Sequence, residues 1–393
     1  MVVSVVMIER RRQQEILGQL LARSPVVAIL GARQVGKTTL AHAFVERRGR
    51  RATFFDLERA QDLARLEDPE LALRDLRGIV VLDEIQRRPD LFPALRVLAD
   101  RPRTPARFLV LGSASPDLLR QSSESLAGRI AYHELPGLTL DEVGIGSLDR
   151  LWLRGGFPRS YTARSNAESR AWRRDFIRTF LERDVPQIGI RIPSGTLERF
   201  WAMLAHYHGQ VWNASELARS FGVSHHATRS YLDALQATFM VRVLRPWAAN
   251  IRKRQVKSPK VYIRDSGLLH SLLEIGSRSE LERHPKLGAS WEGFVLEAII
   301  HQLGVAGDRC YFWASHTGAE LDLLVVSGAR RYGFEIKRTT APRVTASMRS
   351  ALADLELSRL DVVHAGTETF PLAPQIRAVA AERLLSDLRP ARP

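Results

Sequence analysis

The stretch that decides the fold runs from Val26 to Leu40 and reads VVAILGARQVGKTTL. Its first five residues are apolar, as in a buried strand, and a helical pattern begins at Lys37. Between them, Gly31 to Thr38 match the pattern G-x-x-x-x-G-K-[ST], in which glycines let backbone N–H groups turn toward phosphate oxygens. The strand, loop and helix therefore predict a phosphate-binding loop, or P-loop, in an α/β domain with a parallel sheet.

The residues of this loop divide into a backbone cradle and two side chains with chemical roles. We expect Lys37 to reach the β- and γ-phosphates of ATP and to act in catalysis, and Thr38 to ligate Mg²⁺. ATP and Mg²⁺ are the predicted cofactors. The predicted nucleotide-binding residues are Gly31, Ala32, Arg33, Gln34, Val35, Gly36, Lys37, Thr38 and Thr39.

A second apolar run, Ile79 to Leu82, ends in two carboxylates. Because the carboxyl ends of parallel strands share one edge of a sheet, we expect this pair to face the P-loop. Asp83 is the predicted second Mg²⁺ ligand, and Glu84 is the predicted base that polarises the attacking water. Together with the loop, this pair predicts ATP hydrolysis.

Two further positions are candidates for the same site. A third apolar run, Phe108 to Leu111, leads to Ser113, which we interpret as a sensor of the γ-phosphate or, alternatively, as a helix-capping or turn serine. Arg129 follows the sequence Leu-Ala-Gly and is predicted to supply positive charge to the transferring phosphoryl group, from the same or a neighbouring subunit.

These motifs resemble those of prokaryotic AAA-type ATPases that carry an uncharacterised C-terminal domain. The resemblance covers nearly the whole chain and implies an ATPase domain followed by further modules. In some proteins of this type a neighbour's arginine completes the site in a ring, and others of this layout work as monomers. The matching stretches are residues 28–40, 82–86, 111–115, 126–129, 154–158 and 260–268.

Composition describes a folded protein with an anionic partner. Apolar residues make up 45% and charged residues 26% of 393, and Lys plus Arg exceed Asp plus Glu by 58 to 43, a formal charge of +15. This favours nucleic acid, although a GC-rich genome would also enrich arginine.

Cys310 is the single cysteine, which excludes an internal disulfide and fits a reducing compartment. No apolar run has the length of a membrane helix and the start, Met1 or Met7, lacks a signal-peptide pattern, so we expect a cytoplasmic protein without a membrane partner.

The length suggests two or three domains, and the changing pattern places their boundaries. Short apolar runs alternate with helical patterns up to about residue 148, and the next fifty residues are helical and charged, without a strand candidate. The predicted order is an ATPase domain (8–148), a helical connecting region (149–208), a winged helix-turn-helix domain (209–275) and a C-terminal α/β domain (276–393).

Residues 212–224 read as a helix, a glycine-containing turn and a serine cap, which is the pattern of a helix-turn-helix. The second helix would bury Tyr231, Leu232 and Leu235. Either DNA contact or domain packing fits this pattern, because it fixes a fold and not its use. The residues predicted to meet DNA are His225, His226, Thr228 and Arg229 on the second helix, and Arg252, Lys253, Arg254, Lys257 and Lys260 on a following wing.

Acidic residues recur in order through the last segment, which reads helix, strand, strand, helix. Glu292 lies in the helical pattern, Asp322 in the first strand, and Glu335 and Lys337 in the second, where Glu-x-Lys places both side chains on one face. This set resembles the PD-(D/E)XK nuclease fold, with Glu297 competing for the helical position. It implies Mg²⁺ at Asp322 and Glu335, whereas a salt-bridged surface is the alternative.

The combined prediction is an ATP-binding protein that hydrolyses ATP and is coupled to DNA binding or remodelling, with a possible nuclease activity. The alternative is a nucleotide-gated switch or adaptor that binds DNA or a protein partner and turns over ATP slowly. A homo-oligomer fits either case.

Overall fold

The computed structural model describes residues 8–49, 51–102, 106–112, 116–187, 190–247, 258–316 and 318–389, without the side chains of residues 116–120. It divides into two compact units. The first comprises the residues up to Gly137 together with 237–239, and the second comprises residues 138–236 and those from Met240 onward.

The first unit is a parallel sheet with helices between its strands. Its helices are α1 (Arg11–Arg23), α2 (Lys37–Arg48), α3 (Ala60–Arg65), α4 (Pro69–Leu73), α5 (Leu91–Ala99) and α6 (Pro116–Ser125). Its strands are β1 (Val26–Leu30), β2 (Ala52–Asp56), β3 (Gly78–Asp83), β4 (Ala106–Gly112) and β5 (Ile130–Glu134).

All five strands are parallel, in the order β2-β3-β4-β1-β5. Every residue of β1 is buried, which explains its unbroken apolar sequence. The predicted parallel sheet is confirmed. Because β1 and β3 lie on either side of β4, the segments that leave their carboxyl ends meet at one edge of the sheet. Strand β5, which mixes polar and apolar residues, did not stand out in the sequence.

The second unit begins with helices, and no strand lies among its described residues between 138 and 209, as the pattern predicted. A π-helical turn at Phe180–Asp184 joins α10 to α11. The helices up to the first strand are α7 (Leu140–Val143), α8 (Leu148–Arg154), α9 (Pro158–Tyr161), α10 (Asn166–Thr179), α11 (Val185–Gln187) and α12 (Ser194–His206).

The remaining elements build a nine-stranded sheet. The helices that accompany this sheet are α13 (Ala214–Phe221), α14 (His225–Ala237), α15 (Ser266–Leu272), α16 (Arg278–Arg283), α17 (Leu287–Leu303), α18 (Ala346–Asp354) and α19 (Leu384–Asp387). Its strands are β6 (Gln210–Val211), β7 (Val241–Pro246), β8 (Lys260–Ile263), β9 (Cys310–Ala314), β10 (Glu320–Ser327), β11 (Arg330–Lys337), β12 (Arg359–His364), β13 (Phe370–Ala373) and β14 (Ile376–Ala380).

The strand order is β13-β14-β12-β11-β10-β9-β7-β8-β6. Strands β10 and β11 are antiparallel, β11 and β12 are parallel, and a short parallel ladder between β7 and β9 joins the two halves of the sheet. The connecting region and the two domains predicted after residue 148 thus lie in one compact unit. The sequence pattern for the last segment also missed β9 and the three strands after α18.

Candidate functional site

The loop between β1 and α2 has a backbone that only glycine tolerates at two positions. Gly36, directly before α2, has a φ of 98°, in the left-handed region. A Cβ added to Gly31 would lie 2.6 Å from the carbonyl oxygen of Leu135. Gln34, Thr38 and Thr39 remain exposed, so the loop is open to a ligand.

The side chain of Lys37 folds back into this loop. Its Nζ lies 3.1 Å from the carbonyl oxygens of both Gly31 and Ala32, and the residue is only 6% exposed. The ammonium is therefore fixed inside the ring of backbone groups that the sequence pattern assigns to phosphate.

The P-loop and the acidic strand meet through one hydrogen bond. Thr38 Oγ1 donates to Asp83 Oδ2 at 2.6 Å, and Asp83 Oδ1 accepts from the Glu84 N–H at 2.9 Å. Burial raises the pKa of Asp83, although Thr38 and the Glu84 N–H oppose this effect. A half-buried carboxylate beside a hydroxyl offers the oxygen donors that Mg²⁺ prefers, so these two residues fit the predicted cation.

Glu84 sits on a left-handed residue, with a φ of 57°, at the turn that ends β3. Gln86 Nε2 donates to its carboxylate. Burial raises the pKa of Glu84, whereas the charge of Lys37 and the Gln86 hydrogen bond lower it. The hydrogen bond from Gln86 holds the Glu84 carboxylate in position, as a general base requires. Gln86 is a contact that sequence reasoning did not identify.

Arg10 is a second residue of this site that no sequence motif predicted. Its Nη1 donates to the Val35 carbonyl at 3.3 Å, and its Nη2 donates to the carbonyls of Pro136 and Gly137 at 3.0 and 2.9 Å. The buried guanidinium therefore ties the P-loop to the segment after β5. Its partners are backbone atoms distant in sequence, which no local motif reveals.

Two further candidates for the ATP site were Ser113 and Arg129. Ser113 lies outside the described residues. Arg129 lies at the amino end of the sheet, where its carbonyl accepts from Val26 N–H and its guanidinium pairs with Asp100. The P-loop begins at the other end of β1, roughly 15 Å along the strand. A same-chain role for Arg129 is therefore wrong, and a role in a neighbouring subunit stays a prediction.

The acidic residues predicted for the nuclease-like site, Glu292, Asp322 and Glu335, lie close together in the second unit. Asp322 Oδ2 accepts from the Ile336 N–H at 2.8 Å, and Lys337 Nζ lies 2.7 Å from Glu335 Oε1. Burial, and then the charge of Asp322, raise the pKa of both Glu292 and Glu335 to about 7. We call Glu292, Asp322 and Glu335 the carboxylate cluster.

Glu297, the competitor for the helical acid position, has other partners. Its Oε2 lies 2.7 Å from Arg242 Nη2 and 3.6 Å from Arg264 Nη2. Glu292, one and a half turns earlier on α17, faces Asp322 instead. The structure thus separates a neutralised structural glutamate from the one in the cluster.

Strand β8 contributes Lys260 to the carboxylate cluster, although the sequence predicted this residue on a DNA-binding wing. Lys260 Nζ lies 3.5 Å from Glu292 Oε1 and 3.7 Å from Asp322 Oδ1, and it also contacts Glu320. Burial alone would lower the pKa of Lys260, but these carboxylates raise it overall. Because Lys260 is buried, its predicted contact with phosphates is wrong.

The predicted Mg²⁺ ligands Asp322 and Glu335 face ammonium groups in this arrangement. No three Asp, Glu, His or Cys side chains in the described part of the chain form a set that could hold a metal ion. With Lys260 and Lys337 in these positions, the cluster does not fit the metal that the nuclease resemblance implies.

The paired helices α13 and α14 are joined by a turn in which Gly222 has a φ of 65°, and Ser224 caps α14 by accepting from Ala227 N–H. His225, His226 and Arg229 are exposed, as predicted. Thr228 is wrong as a DNA contact, because it is fully buried and donates to the His225 carbonyl. Tyr231 is half-buried rather than buried. The wing residues Arg252, Lys253, Arg254 and Lys257 lie outside the described residues.

Comparison with protein families also separates residues up to about 144 from the rest of the chain. The AAA domain profile matches residues 23–144, and two domains of unknown function, DUF8612 and DUF4143, match residues 145–279 and 287–384. The uncharacterized proteins Rv2008c of Mycobacterium tuberculosis and Mb2031c of Mycobacterium bovis are each 56% identical over 384 residues, 98% of this chain and 86% of theirs. The chain belongs to the family of these two proteins. Its first unit is an AAA-type P-loop ATPase domain.

Solved structures give a weaker likeness to this chain. The Walker-type ATPase PABY2304 of Pyrococcus abyssi is 16% identical, covering 68% of this chain and 96% of its own, with a TM-score of 0.45. The RuvB Holliday junction branch migration motor of Thermotoga maritima is 17% identical, covering 60% and 89%, with a TM-score of 0.30. Such scores do not establish a shared overall fold. In the part of the chain that the structure describes, no helix is long and apolar enough to cross a membrane.

Proposed function

We propose that this protein is a Mg²⁺-dependent ATPase whose hydrolysis is coupled to DNA binding by its second unit. The observation that carries the ATPase proposal is the 2.6 Å contact between Thr38 of the P-loop and Asp83 of the acidic strand, next to the enclosed Lys37 ammonium. This contact brings the predicted phosphate, cation and base groups to one edge of the sheet.

Each group then has one role in hydrolysis. The loop N–H groups and Lys37 bind the phosphates. Thr38 and Asp83 would hold Mg²⁺, which when bound would neutralise negative charge on the phosphate oxygens. Glu84 accepts a proton from the attacking water as the bond to the γ-phosphorus forms and the bond to the ADP oxygen breaks. Gln86 orients the Glu84 carboxylate through its hydrogen bond.

DNA binding is proposed for the helix pair α13–α14 and the strands β6, β8 and β7. The chain order α12, β6, α13, α14, β7 and β8 supports a winged helix-turn-helix, in which α14 would enter the major groove. Exposed His225, His226 and Arg229 lie on the first turns of α14, where base and phosphate contacts form in such folds. The formal charge of +15 favours the same partner.

The C-terminal elements support a PD-(D/E)XK-like fold. Helix α17, strands β9 to β11, helix α18 and strand β12 follow in order, and Asp322, Glu335 and Lys337 share one region of the sheet. The ammonium groups among the carboxylates argue against metal-dependent cutting by this conformation. We therefore favour holding DNA over cleaving it.

The test is ATP turnover by the full chain, measured with and without double- and single-stranded DNA. We expect DNA to stimulate turnover and Lys37→Ala to abolish nucleotide binding. Glu84→Gln should keep ATP binding and lower turnover by about 10²–10⁴-fold, the usual contribution of a general base. Glu58→Gln removes an exposed neighbouring charge and is the matched control, with turnover expected near that of the wild type.

Two outcomes would redirect the proposal. Negligible turnover with and without DNA, despite tight ATP binding, would favour the nucleotide-gated switch. Plasmid cleavage with Mg²⁺ or Mn²⁺ that disappears in Asp322→Ala and Lys337→Ala would favour a nuclease. Full turnover in Glu84→Gln would reject the assigned base.

A further inference from the structure

Strand β8 directs two side chains into the carboxylate cluster. Lys260 and Tyr262 are two residues apart and therefore point to the same face of the strand. The Tyr262 hydroxyl donates to Glu292 Oε1 at 2.6 Å, the same oxygen that lies 3.5 Å from Lys260 Nζ. A strand outside the C-terminal PD-(D/E)XK-like elements thus completes the surroundings of the cluster.

Lys260 is held there by charge. The residue is 4% exposed, and Glu292, Glu320 and Asp322 surround its ammonium, which also lies 5.7 Å from the centre of the Phe312 ring. A buried ammonium is costly unless anions pair with it. The position of Lys260 is therefore that of a bound cation among carboxylate oxygens.

Glu335 provides an independent sign that the cluster has spare capacity to bind a cation. It is 5% exposed, and its Oε1 contacts Lys337. Its Oε2 is buried and accepts no hydrogen bond from any described residue. A buried carboxylate oxygen without a donor is costly, and a cation would satisfy it.

We propose that Lys260 is the resident cation of the carboxylate cluster and closes a latent divalent-cation site formed by Glu292, Asp322 and Glu335. Lys260 and a divalent cation compete for the same oxygens. Removal of the ammonium frees Asp322 Oδ1 and leaves Glu292 Oε1 with the Tyr262 hydroxyl. Both lie in the cluster with the Glu335 oxygen that accepts no hydrogen bond from a described residue, and carboxylate oxygens are ligands that Mg²⁺ and Mn²⁺ prefer. This inference does not depend on ATP hydrolysis.

The experiment is a titration of the nucleotide-free full chain with Mn²⁺, in which calorimetry and electron paramagnetic resonance measure the bound Mn²⁺. Wild type and Asp322→Asn should bind Mn²⁺ equally, because the cluster is closed in both. Lys260→Met should gain one Mn²⁺ site per chain, at least about tenfold tighter than any site in the wild type. Adding Asp322→Asn to Lys260→Met should remove the gain. Lys260→Arg, which keeps the positive charge, is the matched control and should gain nothing.

Circular dichroism melts establish that each variant is folded. A wild-type Mn²⁺ site that Asp322→Asn abolishes would overturn the proposal, because the cluster would then be open with Lys260 present. A folded Lys260→Met protein without a new site would also overturn it. If Lys260→Met does not fold, the comparison of wild type with Asp322→Asn decides, with equal binding in support and lost binding against.

Discussion

Replacing Glu297 by glutamine should destabilise the second unit strongly. Glu297 is buried on α17, and its two oxygens contact the guanidinium of Arg242 on β7, with Arg264 at 3.6 Å. The amide loses the charge and turns an NH₂ group toward one of the guanidiniums. Removing one partner of a buried ion pair costs about 3–5 kcal/mol of unfolding free energy. For a unit of this size the melting temperature should fall by roughly 6–20 °C.

Tryptophan fluorescence is the assay that isolates this unit. All seven tryptophans of the chain lie after residue 150, so their signal follows the second unit and not the ATPase domain. The same melts on Arg242→Met and on the double variant complete a mutant cycle. A large coupling free energy is expected, because the two side chains act as one pair.

Glu292→Gln is the matched control on the same helix, and the two variants should respond oppositely to pH. Burial alone would raise the pKa of Glu297, but Arg242 and Arg264 hold it well below its usual value. Its stabilisation is therefore present at neutral pH and is lost only as pH falls through that low pKa. The pKa of Glu292 is about 7, so the folded state loses stability from this group as pH rises from about 4.5 to 7.

Glu292→Gln should cost less than Glu297→Gln, because Glu320 and Asp322 still pair with Lys260, and it should gain relative stability as pH rises toward 8. Equal losses in the two glutamine variants at neutral pH would refute this reasoning. So would a coupling free energy near zero between Glu297 and Arg242.

Three further predictions concern the ATPase domain. Turnover should fall on acidification at a higher pH than for an ordinary glutamate base, because Glu84 must be ionised and burial raises its pKa. In a pH–rate profile, Gln86→Leu should move this fall to a still higher pH, because the Gln86 hydrogen bond lowers the pKa of Glu84. An unchanged profile would contradict the role of Gln86. Arg10→Met should lower the unfolding free energy by at least about 2 kcal/mol and weaken ATP binding, as measured by denaturant titration and calorimetry, since charged hydrogen bonds to buried carbonyls are lost. Arg129→Ala should leave the turnover of monomeric protein unchanged, and a loss confined to an assembled form would support the neighbouring-subunit role.

The sequence predicted best where chemistry is local. The P-loop is a contiguous motif between a buried strand and a helix, so β1 and the start of α2 matched the prediction closely. Asp83 could be placed near Thr38 because parallel strands end at a common edge, although the two residues are 45 positions apart. Strands β1, β3 and β4 were predicted because each contains a local apolar run, whereas β5 has a mixed pattern.

Contacts between distant segments could not be predicted in this way. Lys260 looked like one more basic residue in a charged stretch, and only the pairing of β8 with β7 places it beside Glu292. Arg10 acts through backbone carbonyls, which carry no sequence signal. Thr228 fits the solvent face of an ideal recognition helix, but the packing of α14 buries it. The choice between Glu292 and Glu297 likewise needed the position of Arg242.

The short ladder between β7 and β9 limits how the chain can be truncated. Arg245 and Pro246 pair with Tyr311 and Phe312, and the Trp247 N–H donates to the Phe312 carbonyl at 2.7 Å. A fragment that starts at α17 would leave that edge of β9 without its neighbour, and unpaired edges promote aggregation. Soluble expression of the C-terminal region should therefore require a fragment that begins near Leu138, where the second unit starts.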